Sequence, residues 1–472
     1  MRRNTSVKDS HSVGVVGVLA FAGDLSMGQP PDHSPRTALL SIRLLCAIGY
    51  DAHAATAARL ALLRWSGCTA NAAEFDDLFG DDVAGRAALI SGQNPFMNDR
   101  QPGPDAGPQI RTLSRTHCET GVAIIERLGL RDQTLQGAFL HLFEGWDGSG
   151  LPNGLAGDAV AIEAQAVSVA SDLEVWARIH GLPKALSMLE CTAGQRHDPR
   201  VVACVLRHGA DWLANISRLD AWNEAAIGAE LSAMDGINPD RDANLLSDYA
   251  DLKLPLLDRP GRRAAELLRK SGAHPATIRA GLLHGLGWVS VPNRVCRSFD
   301  PTDDRIDERC RLVPHWTARC LSRHPSFGAE ASRALRAYEK ADGSGFPSGI
   351  SRKDTSDEEA MLQAAVYAVR APDGIASLRN SAENGICAQA ADRLLSSVGV
   401  TKLLPDRSDF LSPREHEVLV SVAHGLSNKQ IARELNISPS TVGTHVENLY
   451  RKLGVSNRAT ATLKALEKGL LG

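Results

Sequence analysis

The amino-acid sequence predicts an all-α protein of two tandem helical domains followed by a short four-helix domain. Three observations carry this prediction. Ala, Leu and Arg recur along the chain while aromatic residues make up only 5%, a composition that favours helix. Several motifs occur twice at a spacing of about 200 residues, which indicates a duplicated domain. A close series of helix-capping patterns occupies the C-terminal end, and 472 residues exceed what one core usually holds.

The N-terminal residues and the cysteines indicate the broad class of protein. Basic residues precede an apolar run over residues 13–22, but Gly14 and Gly17 interrupt the run and it is too short to cross a bilayer. We therefore expect this run inside a folded domain and no membrane-spanning segment in the chain. The nine cysteines are odd in number and form no CxxC pair, which argues against a zinc ribbon and favours reduced thiols in a cytosolic protein.

An internal repeat fills most of the chain before residue 400. The turn sequence Asp-Gly-Ser-Gly occurs twice, each time shortly after a helical stretch that ends in glutamate, at Glu144 and at Glu339. Two further pairs of upstream motifs correspond, residues 62–68 with 282–288 and His117 with His315. We interpret the repeat as two copies of one domain, copy one at residues 10–227 and copy two at residues 228–400.

The repeated pattern resembles the HD-GYP branch of the HD-type phosphohydrolases, helical domains that hold two or three metal ions and hydrolyse cyclic dinucleotides. The resemblance assigns the family's metal-ligand positions in both copies. In copy one they fall, in chain order, on His33, Arg64-Trp65, His117, Leu142-Phe143 and Ser171. In copy two the corresponding residues are Pro260, His284-Gly285, His315, Ala337-Tyr338 and Tyr367. The GYP triplet itself has become Gly-Leu-Pro in copy one and Gly-Phe-Pro in copy two.

Most of these positions have lost their ligands. A di-metal centre needs imidazoles and an acidic bridge, both to neutralise the ions and to lower the pKa of a bridging water. Neither dyad keeps a carboxylate, and Arg64 places a positive charge where a cation would sit. We therefore predict no catalytic residue, no cofactor and no metal in either copy, and a body (the two copies together) reused for sensing or dimerisation. The remnant ligand positions are His33, His117, His284 and His315.

Three other interpretations of the body stay open. The four remnant histidines could build one composite metal site if the two copies met face to face. The cavity could instead bind a small ligand without hydrolysing it, or its aromatic residues could simply fill the former metal site. The aromatic residues expected to line or fill it are Trp65 and Phe143 in copy one and Tyr338 and Tyr367 in copy two. A phosphodiesterase that acts on a cyclic dinucleotide through a rebuilt metal centre is the third, if ligand binding and aromatic filling are counted as two outcomes for the same cavity.

Residues 411–472 form a basic module. They hold eight Lys and Arg against five Glu, a net charge of +3 in a chain whose total net charge is −3. A positive module on an acidic body suits contact with phosphate groups. Segment 401–410 contains Pro and Asp and is predicted to be a linker, and we place the module itself at residues 408–472.

The caps in this module predict four helices. Capping boxes at Ser412–Glu415 and Ser427–Gln430 begin the first two helices, and Ser438 before a proline begins the third. The fourth helix is predicted at about residues 457–468. Two short helices joined by a turn of three or four residues form a helix-turn-helix, whose second helix enters the major groove of DNA. The predicted DNA-contacting residues are Lys429, Ser440, Thr441, Thr444, Asn448, Arg451 and Lys452.

The module is similar along its whole length to LuxR/NarL-type helix-turn-helix domains. The resemblance implies that Ser440–Lys452 is the recognition helix and that the fourth helix pairs two chains on two half-sites. Gly443 and Glu447 stand where many relatives carry lysine. Fewer basic side chains should weaken non-specific DNA binding, and the base preference is not predicted.

These features together predict a sequence-specific DNA-binding transcription regulator. We expect double-stranded DNA, a second copy of the chain and a candidate small-molecule ligand in the body as its partners. The chain contains neither a GxxxxGK[ST] phosphate loop nor an acidic phosphoacceptor domain. Two alternatives from other classes are a C-terminal module that contacts only proteins and the phosphodiesterase with an attached DNA-binding domain.

Overall fold

The computed structural model describes residues 14–95, 106–234, 238–253, 259–303, 305–398, 411–423, 425–468 and 470–471. Within these ranges the chain forms helices and no strand, and two isolated β-bridges join Asp147 to Ala156 and Ala193 to His197. The predicted all-α fold is therefore confirmed. The predicted linker at 401–410 lies outside the described residues.

The helices follow one another with short connections. Copy one contains α1 (Gly14–Ser26), α2 (His33–Ala47), α3 (Ala54–Leu63), α4 (Ala72–Phe79), α5 (Asp82–Ser91), α6 (Ala106–Arg127), α7 (Gln133–Leu140), α8 (Ile162–His180), α9 (Leu182–Thr192) and α10 (Pro199–Ile216). Next come α11 (Ala225–Met234), α12 (Pro239–Lys253), α13 (Pro260–Lys270), α14 (Pro275–Leu283), α15 (Asn293–Arg297), α16 (Glu308–Arg311), α17 (Val313–Leu321), α18 (Gly328–Ala334), α19 (Asp357–Arg370) and α20 (Ala388–Ser397). The C-terminal module is α21 (Pro413–Ala423), α22 (Asn428–Glu434), α23 (Pro439–Leu453) and α24 (Arg458–Glu467). Short 3₁₀ helices lie at Asp51–His53, Cys68–Asn71, Gly157–Ala159, Ala221–Asn223, Leu286–Ser290, Arg352–Asp354 and Gly374–Asn380.

Helix α1 contains most of the apolar N-terminal run. It is buried along its whole length and packs against helices of both copies, including α3, α11, α12 and α17. The expectation that this run lies inside a folded domain is confirmed. Among the described helices, none combines the length and the apolar character needed to cross a bilayer. All nine cysteines are free thiols.

The two copies repeat the same helix packing. In copy one α2 packs against α3 and α8, and α3 packs against α7 and α8. In copy two α13 packs in the same way against α14 and α19, and α14 packs against α18 and α19. The helices correspond in the order of the duplicated motifs, so the repeat seen in the sequence is a repeat of tertiary structure.

The Asp-Gly-Ser-Gly turns also have the same geometry in both copies. The Glu144 carboxylate accepts the backbone N–H groups of Asn153 and Leu155 at 2.8 and 2.9 Å. Glu339 accepts the two corresponding N–H groups, 9 and 11 residues further along the chain, at 2.7 and 3.0 Å. The first glycine of each turn has a left-handed φ, 81° in copy one and 84° in copy two, which glycine adopts without steric cost. The turns therefore need this sequence for structural reasons alone.

The largest apolar core runs through both copies. It contains buried side chains of α1, α2, α3 and α8 together with side chains of α12, α17 and α18. A second core belongs to copy two alone. A buried ion pair between Asp82 on α5 and Lys253 on α12 joins the copies, and Asp82 also accepts hydrogen bonds from Arg86 at 2.9 Å and from the Asn293 backbone N–H at 2.7 Å. The boundary placed at residue 227 stays a prediction.

Candidate DNA-binding surface and remnant metal cavities

The predicted capping residues begin three helices of the C-terminal module. The Ser412 hydroxyl accepts the N–H of Glu415 at 3.2 Å, and the Glu415 carboxylate accepts the N–H of Ser412 at 2.8 Å. Ser427 and Gln430 form the same reciprocal pair at the start of α22. The Ser438 hydroxyl accepts the N–H three residues on at the start of α23. Because each cap satisfies N–H groups that the helix leaves unpaired, these serines fix where the helices begin.

Two small cores hold the module together. The first joins α21, α22 and α23, and the second joins α21, α23 and α24. Helix α23 contributes buried side chains to both cores: Val442 and Val446 to the first, and Leu449 and Leu453 to the second. Asn436, with a left-handed φ of 52°, makes the tight turn between α22 and α23. The opposite side of α23 is therefore left for solvent or DNA.

The predicted DNA-contacting residues lie on two helices. Lys429 is on α22, and the other six are on α23. Six of the seven are exposed and Asn448 is half-buried. Arg451 donates to the Asn448 side-chain carbonyl at 2.6 Å, so the two form a polar pair on the exposed side of α23. Their contact with DNA stays a prediction.

Some of these residues also stabilise the module itself. The Ser440 and Thr441 hydroxyls each lie 2.7 Å from the Ser438 hydroxyl at the start of α23. Lys452 donates to Glu415 at 2.7 Å and joins the end of α23 to the start of α21. This hydrogen bond, with those from Ser412, lowers the pKa of Glu415 to about 2. Lys452 is thus engaged by an intramolecular carboxylate, which any phosphate contact would have to displace.

Helix α24 is docked on the body. The Ser456 hydroxyl donates to the Glu119 carboxylate on α6 at 2.7 Å, and the Asn457 amide donates to the same oxygen. Ala459 and Leu463 are buried in the large core of the body. The helix that the LuxR resemblance assigns to dimer pairing therefore packs against α6 of the same chain.

In copy one an arginine occupies the centre of the remnant metal cavity. The Arg64 guanidinium is fully buried and donates to His33 Nε2 at 2.5 Å and to the Thr37 hydroxyl at 3.1 Å. Burial lowers the pKa of Arg64 to about 10, and the nearby Asp24 and Glu174 carboxylates oppose that decrease. The group therefore stays positively charged at neutral pH and supplies a permanent cation inside copy one.

His33 is held between a cation and an anion. Its Nε2 accepts from Arg64, so the ring hydrogen is on Nδ1, which donates to Glu174 at 2.7 Å. Burial and the charge of Arg64 lower the pKa of His33, which keeps the ring neutral. Burial would raise the pKa of Glu174, but His33 and Arg178 reverse this and hold it at about 2. His33 thus interacts with a guanidinium in the position where family members bind a metal.

His117 packs beside this cluster and is also engaged. Its Nε2 donates to the backbone carbonyl of Arg64 at 2.6 Å, and burial lowers its pKa to about 4. Its ring contacts those of Trp65, Phe139 and Phe143 at centroid distances of 6.2, 6.1 and 5.0 Å. Trp65 and Phe143 therefore pack around the histidine in the remnant cavity of copy one.

In copy two the remnant histidines are separated. His284 is fully buried, its Nδ1 donates to the Gly281 carbonyl at 2.7 Å, and burial lowers its pKa to about 3. His315 is exposed on α17, and its ring contacts that of Trp316. The Thr317 hydroxyl donates to the His284 carbonyl at 3.2 Å, the role that His117 has in copy one. Pairing His315 with His117 by sequence is therefore not matched by the tertiary structure.

Two charged residues of the cavities were missed by the sequence analysis. Glu174 and Arg370 lie one helical turn after the last ligand positions, Ser171 and Tyr367, on helices that also carry other charged residues. A charged residue three positions after a ligand position, and so on the same side of its helix, is the signal that could have found them. Copy one thus carries its buried arginine on the dyad segment, and copy two carries one on α19.

The side chains present do not fit a di-metal centre. Among the described residues no group of three or more His, Cys, Asp or Glu side chains is arranged to hold a metal ion. Ring nitrogens of His33 and His117 are already hydrogen-bonded to protein groups, and the Arg64 guanidinium repels a second cation. The composite site of four histidines finds no support in this arrangement.

Known families match both parts of the chain. Residues 409–465 match the family "Bacterial regulatory proteins, luxR family", and residues 40–201 and 244–372 match the family "HD domain". Among curated proteins, the chain is 35% identical over 158 residues to the probable transcriptional regulatory protein NarL of Mycobacterium tuberculosis strain H37Rv, a match that covers 30% of this chain and 68% of the relative.

The body has relatives of its own. The chain is 23% identical over 376 residues to the 3'3'-cGAMP-specific phosphodiesterase 3 of Vibrio cholerae, covering 72% of this chain and 81% of that protein. A crystal structure of a cyclic GMP-AMP-specific phosphodiesterase from V. cholerae superposes with a TM-score of 0.53 at 16% identity, over 82% of this chain and 98% of that chain. At this identity the likeness shows the fold.

Proposed function

Because the chain belongs to the HD-domain family and carries a DNA-binding domain of the luxR family of bacterial regulatory proteins, we propose that it is a transcription regulator whose HD-type body controls DNA binding. The observation that carries this proposal is the placement of the C-terminal module. The recognition helix α23 exposes its polar side, while α24 is docked on α6. The recognition helix is therefore accessible to DNA, whereas α24 in this position is not available to pair with a second chain.

The docked contact supports a specific form of control. By the LuxR resemblance the fourth helix pairs two chains on two half-sites. Ala459 and Leu463 on that helix are instead buried against the body, and Glu119 accepts hydrogen bonds from the two residues just before it. We infer that the docked chain binds a half-site weakly as a monomer. Release of α24 from α6 then allows paired binding, which couples the state of the body to DNA affinity.

The experiment begins with a genome-wide DNA pull-down on the full-length chain to identify its target sequence. Fluorescence anisotropy then measures binding of duplexes that carry either two half-sites or one. Glu119→Ala should raise the affinity for the two-half-site duplex about tenfold and change the affinity for one half-site much less. Glu126→Ala on the same helix, at an exposed position, is the matched control and should bind as wild type.

The outcomes separate the two parts of the proposal. If the pull-down enriches no sequence, the module does not recognise specific DNA and the proposal fails. If a target is found but Glu119→Ala binds both duplexes as wild type does, α24 docking does not control the protein. In that case the proposed DNA-binding role is kept, and the proposed control by docking of α24 on α6 is abandoned.

A second candidate function is favoured by one comparison. The body is similar over most of its length to a 3'3'-cGAMP-specific phosphodiesterase, which suggests metal-dependent hydrolysis of a cyclic dinucleotide. The residues at and beside the ligand positions oppose it, since Arg64 at one such position and Arg370 beside another place guanidinium groups in the two remnant cavities. Metal analysis of the purified full-length protein tests it. Stoichiometric iron or manganese together with turnover of a cyclic dinucleotide would make the enzyme the better description.

A further inference from the structure

Copy two contains a buried charged group with unused hydrogen-bond donors. The three guanidinium nitrogens of Arg370 are buried, and within the described residues none of them forms a well-aligned hydrogen bond, although the group interacts with the Tyr338 hydroxyl. The guanidinium lies over the ring of Trp288, 4.8 Å from its centroid, and its charge opposes the increase that burial causes in the pKa of Tyr338. A buried cation with unused hydrogen-bond donors destabilises the folded state. We therefore expect this arginine to have a role other than stabilising the fold.

Two clefts meet at this arginine. One spans about 300 Å³, a volume that includes its opening to solvent, and is lined by Asp251, Pro260, Gly285 and Arg370 among others. The other spans about 330 Å³ on the same measure and is lined by Lys340, Phe346 and Arg370 together with two tyrosines, Tyr338 and Tyr367. Four former metal-ligand positions, those of Pro260, Gly285, Tyr338 and Tyr367, border these clefts. The space once used for metal ions in the family is therefore partly open in copy two.

The second cleft combines positive charge with aromatic surface. Lys340 Nζ lies 5.8 Å from the centroid of the Tyr367 ring. Tyr338 stacks on Phe346 at 5.3 Å, and its hydroxyl accepts a hydrogen bond from Trp288 at 2.8 Å. The carboxylate that lines this cleft, Glu339, is used by the backbone N–H groups of the following turn. The cleft thus offers two cations and aromatic faces, and Glu339, the acid among its described lining residues, is already satisfied by the backbone.

We propose that this cleft binds a small molecule with an oxyanion attached to a planar ring, the oxyanion on Arg370 and Lys340 and the ring against Tyr338 and Tyr367. An oxyanion accepts the unused N–H groups of a guanidinium in a charge-assisted pair, and a ring stacks on tyrosine. Phosphate and carboxylate share this chemistry, and the experiment distinguishes them. Nothing in the arrangement requires a metal ion.

The position of the site deepens the proposed function, on which this part of the inference rests. Asp251 lines the first cleft at Arg370 and also a cleft at the boundary between the body and the C-terminal module. The boundary cleft is lined on the module side by Val422, Arg458 and Ala459. Helix α12 therefore contacts both the Arg370 site and the docked module, so a ligand at Arg370 is placed to change how firmly α24 is held.

Isothermal titration calorimetry on the full-length chain tests the site without DNA. The probes are phenyl phosphate, benzoate and the neutral benzyl alcohol. We expect at least one anionic probe to bind more tightly than benzyl alcohol, by about tenfold or more. Comparing phenyl phosphate with benzoate then shows which oxyanion the site prefers. Arg370→Met should reduce that affinity about tenfold or more, Lys340→Met by a smaller factor, and the exposed Lys353→Met should bind as wild type.

The thermal midpoint supplies an independent readout. Since the guanidinium of Arg370 forms no well-aligned hydrogen bond within the described residues, Arg370→Met should unfold at the same or a higher temperature than wild type, whereas an arginine kept for structure would lower the midpoint. The site is refuted if neither anionic probe binds more tightly than benzyl alcohol, or if Arg370→Met and Lys340→Met both bind as wild type. Because no DNA is present, such a result removes the ligand site and leaves the proposed DNA-binding function intact.

Discussion

At the scale of the residue, Arg451 is one of the predicted DNA contacts. It lies on the exposed side of α23 and its side-chain partner is Asn448, itself a predicted contact. Lys452 differs, because it is paired with Glu415 inside the module. The two neighbouring cations therefore have different partners although they are adjacent in sequence.

We expect Arg451→Ala to weaken binding of the target duplex by about 1–3 kcal/mol if the side chain contacts a base, because a charge-assisted contact is lost. Binding isotherms at several salt concentrations measure this, since loss of a phosphate contact alone would also reduce the salt dependence. Lys464→Ala on α24 is the control, because Lys464 pairs with Glu467 away from α23. Unchanged binding by Arg451→Ala would remove it from the contact surface.

The buried histidines make stability depend on pH. Burial lowers the pKa of His284 to about 3 and that of His117 to about 4, below the usual value near 6.5. A histidine that is neutral when folded takes up a proton more readily when unfolded. Its contribution to stability is therefore complete above pH 6.5 and declines as the pH falls from 6.5 toward the folded pKa.

His284→Asn tests this dependence. The asparagine amide can still donate to the Gly281 carbonyl, but it does not titrate. Between pH 7 and pH 5 the variant should lose about 2 kcal/mol less unfolding free energy than wild type, measured by urea denaturation. The exposed His208→Asn should lose as much as wild type. Equal losses in His284→Asn and wild type would show that His284 is not held neutral by burial.

At the scale of the element, polar contacts determine how α5 and α12 meet. Burial alone would raise the pKa of Asp82, but Lys253 and Arg86 lower it below its usual value, so the group is a buried carboxylate. Asp82 and Lys253 are both fully inaccessible to solvent. Such a pair fixes the relative position of two helices, because any shift would leave a buried charge unpaired.

Lys253→Met should destabilise the protein by about 3 kcal/mol, because among the described residues Asp82 then keeps Arg86 alone as a cationic partner. The double variant Asp82→Leu with Lys253→Met should recover part of this loss, since no buried charge is then unpaired. The control is Arg294→Met, whose partner Asp81 lies at the edge of the same contact with Arg294 partly exposed. A midpoint of Lys253→Met equal to that of wild type in chemical denaturation would contradict the assigned role of the pair.

At the scale of the whole molecule, α6 connects the body with the DNA-binding module. Its His117 faces the remnant cavity of copy one, and its Glu119, two residues on, contacts the cap residue that precedes α24. The boundary with α12 lies beside the Arg370 clefts of copy two. The module is thus in contact with elements of both copies, as control by the body requires.

Amide hydrogen exchange checks this docking directly. In Glu119→Ala we expect faster exchange along α24 and along the facing part of α6, because both lose a shared interface. Exchange in α22 and α23 should stay as in wild type, since their caps and cores lie within the module. The exposed Glu126→Ala provides the comparison. An unchanged α24 in Glu119→Ala would mean that the two hydrogen bonds to Glu119 do not hold the module.

The sequence by itself determined the local features of this protein. The serine caps at 412, 427 and 438, the apolar stripe of α23 and the duplicated Asp-Gly-Ser-Gly turns follow from interactions between residues close in the chain. The loss of metal ligands was also visible, because it needs only residue identity at each position. Local rules are sufficient for such features, since the interacting groups lie within a few residues of each other.

Only the tertiary structure decided which distant residues meet. His33, Arg64 and Glu174 form one cluster although 141 residues separate the first from the last, and Thr317 rather than His315 takes the place of His117. The surroundings of the buried Arg370 and the docking of α24 on Glu119 are likewise contacts between remote segments. Such contacts depend on how helices pack, and packing is set by the sum of many weak apolar contacts that no single motif encodes.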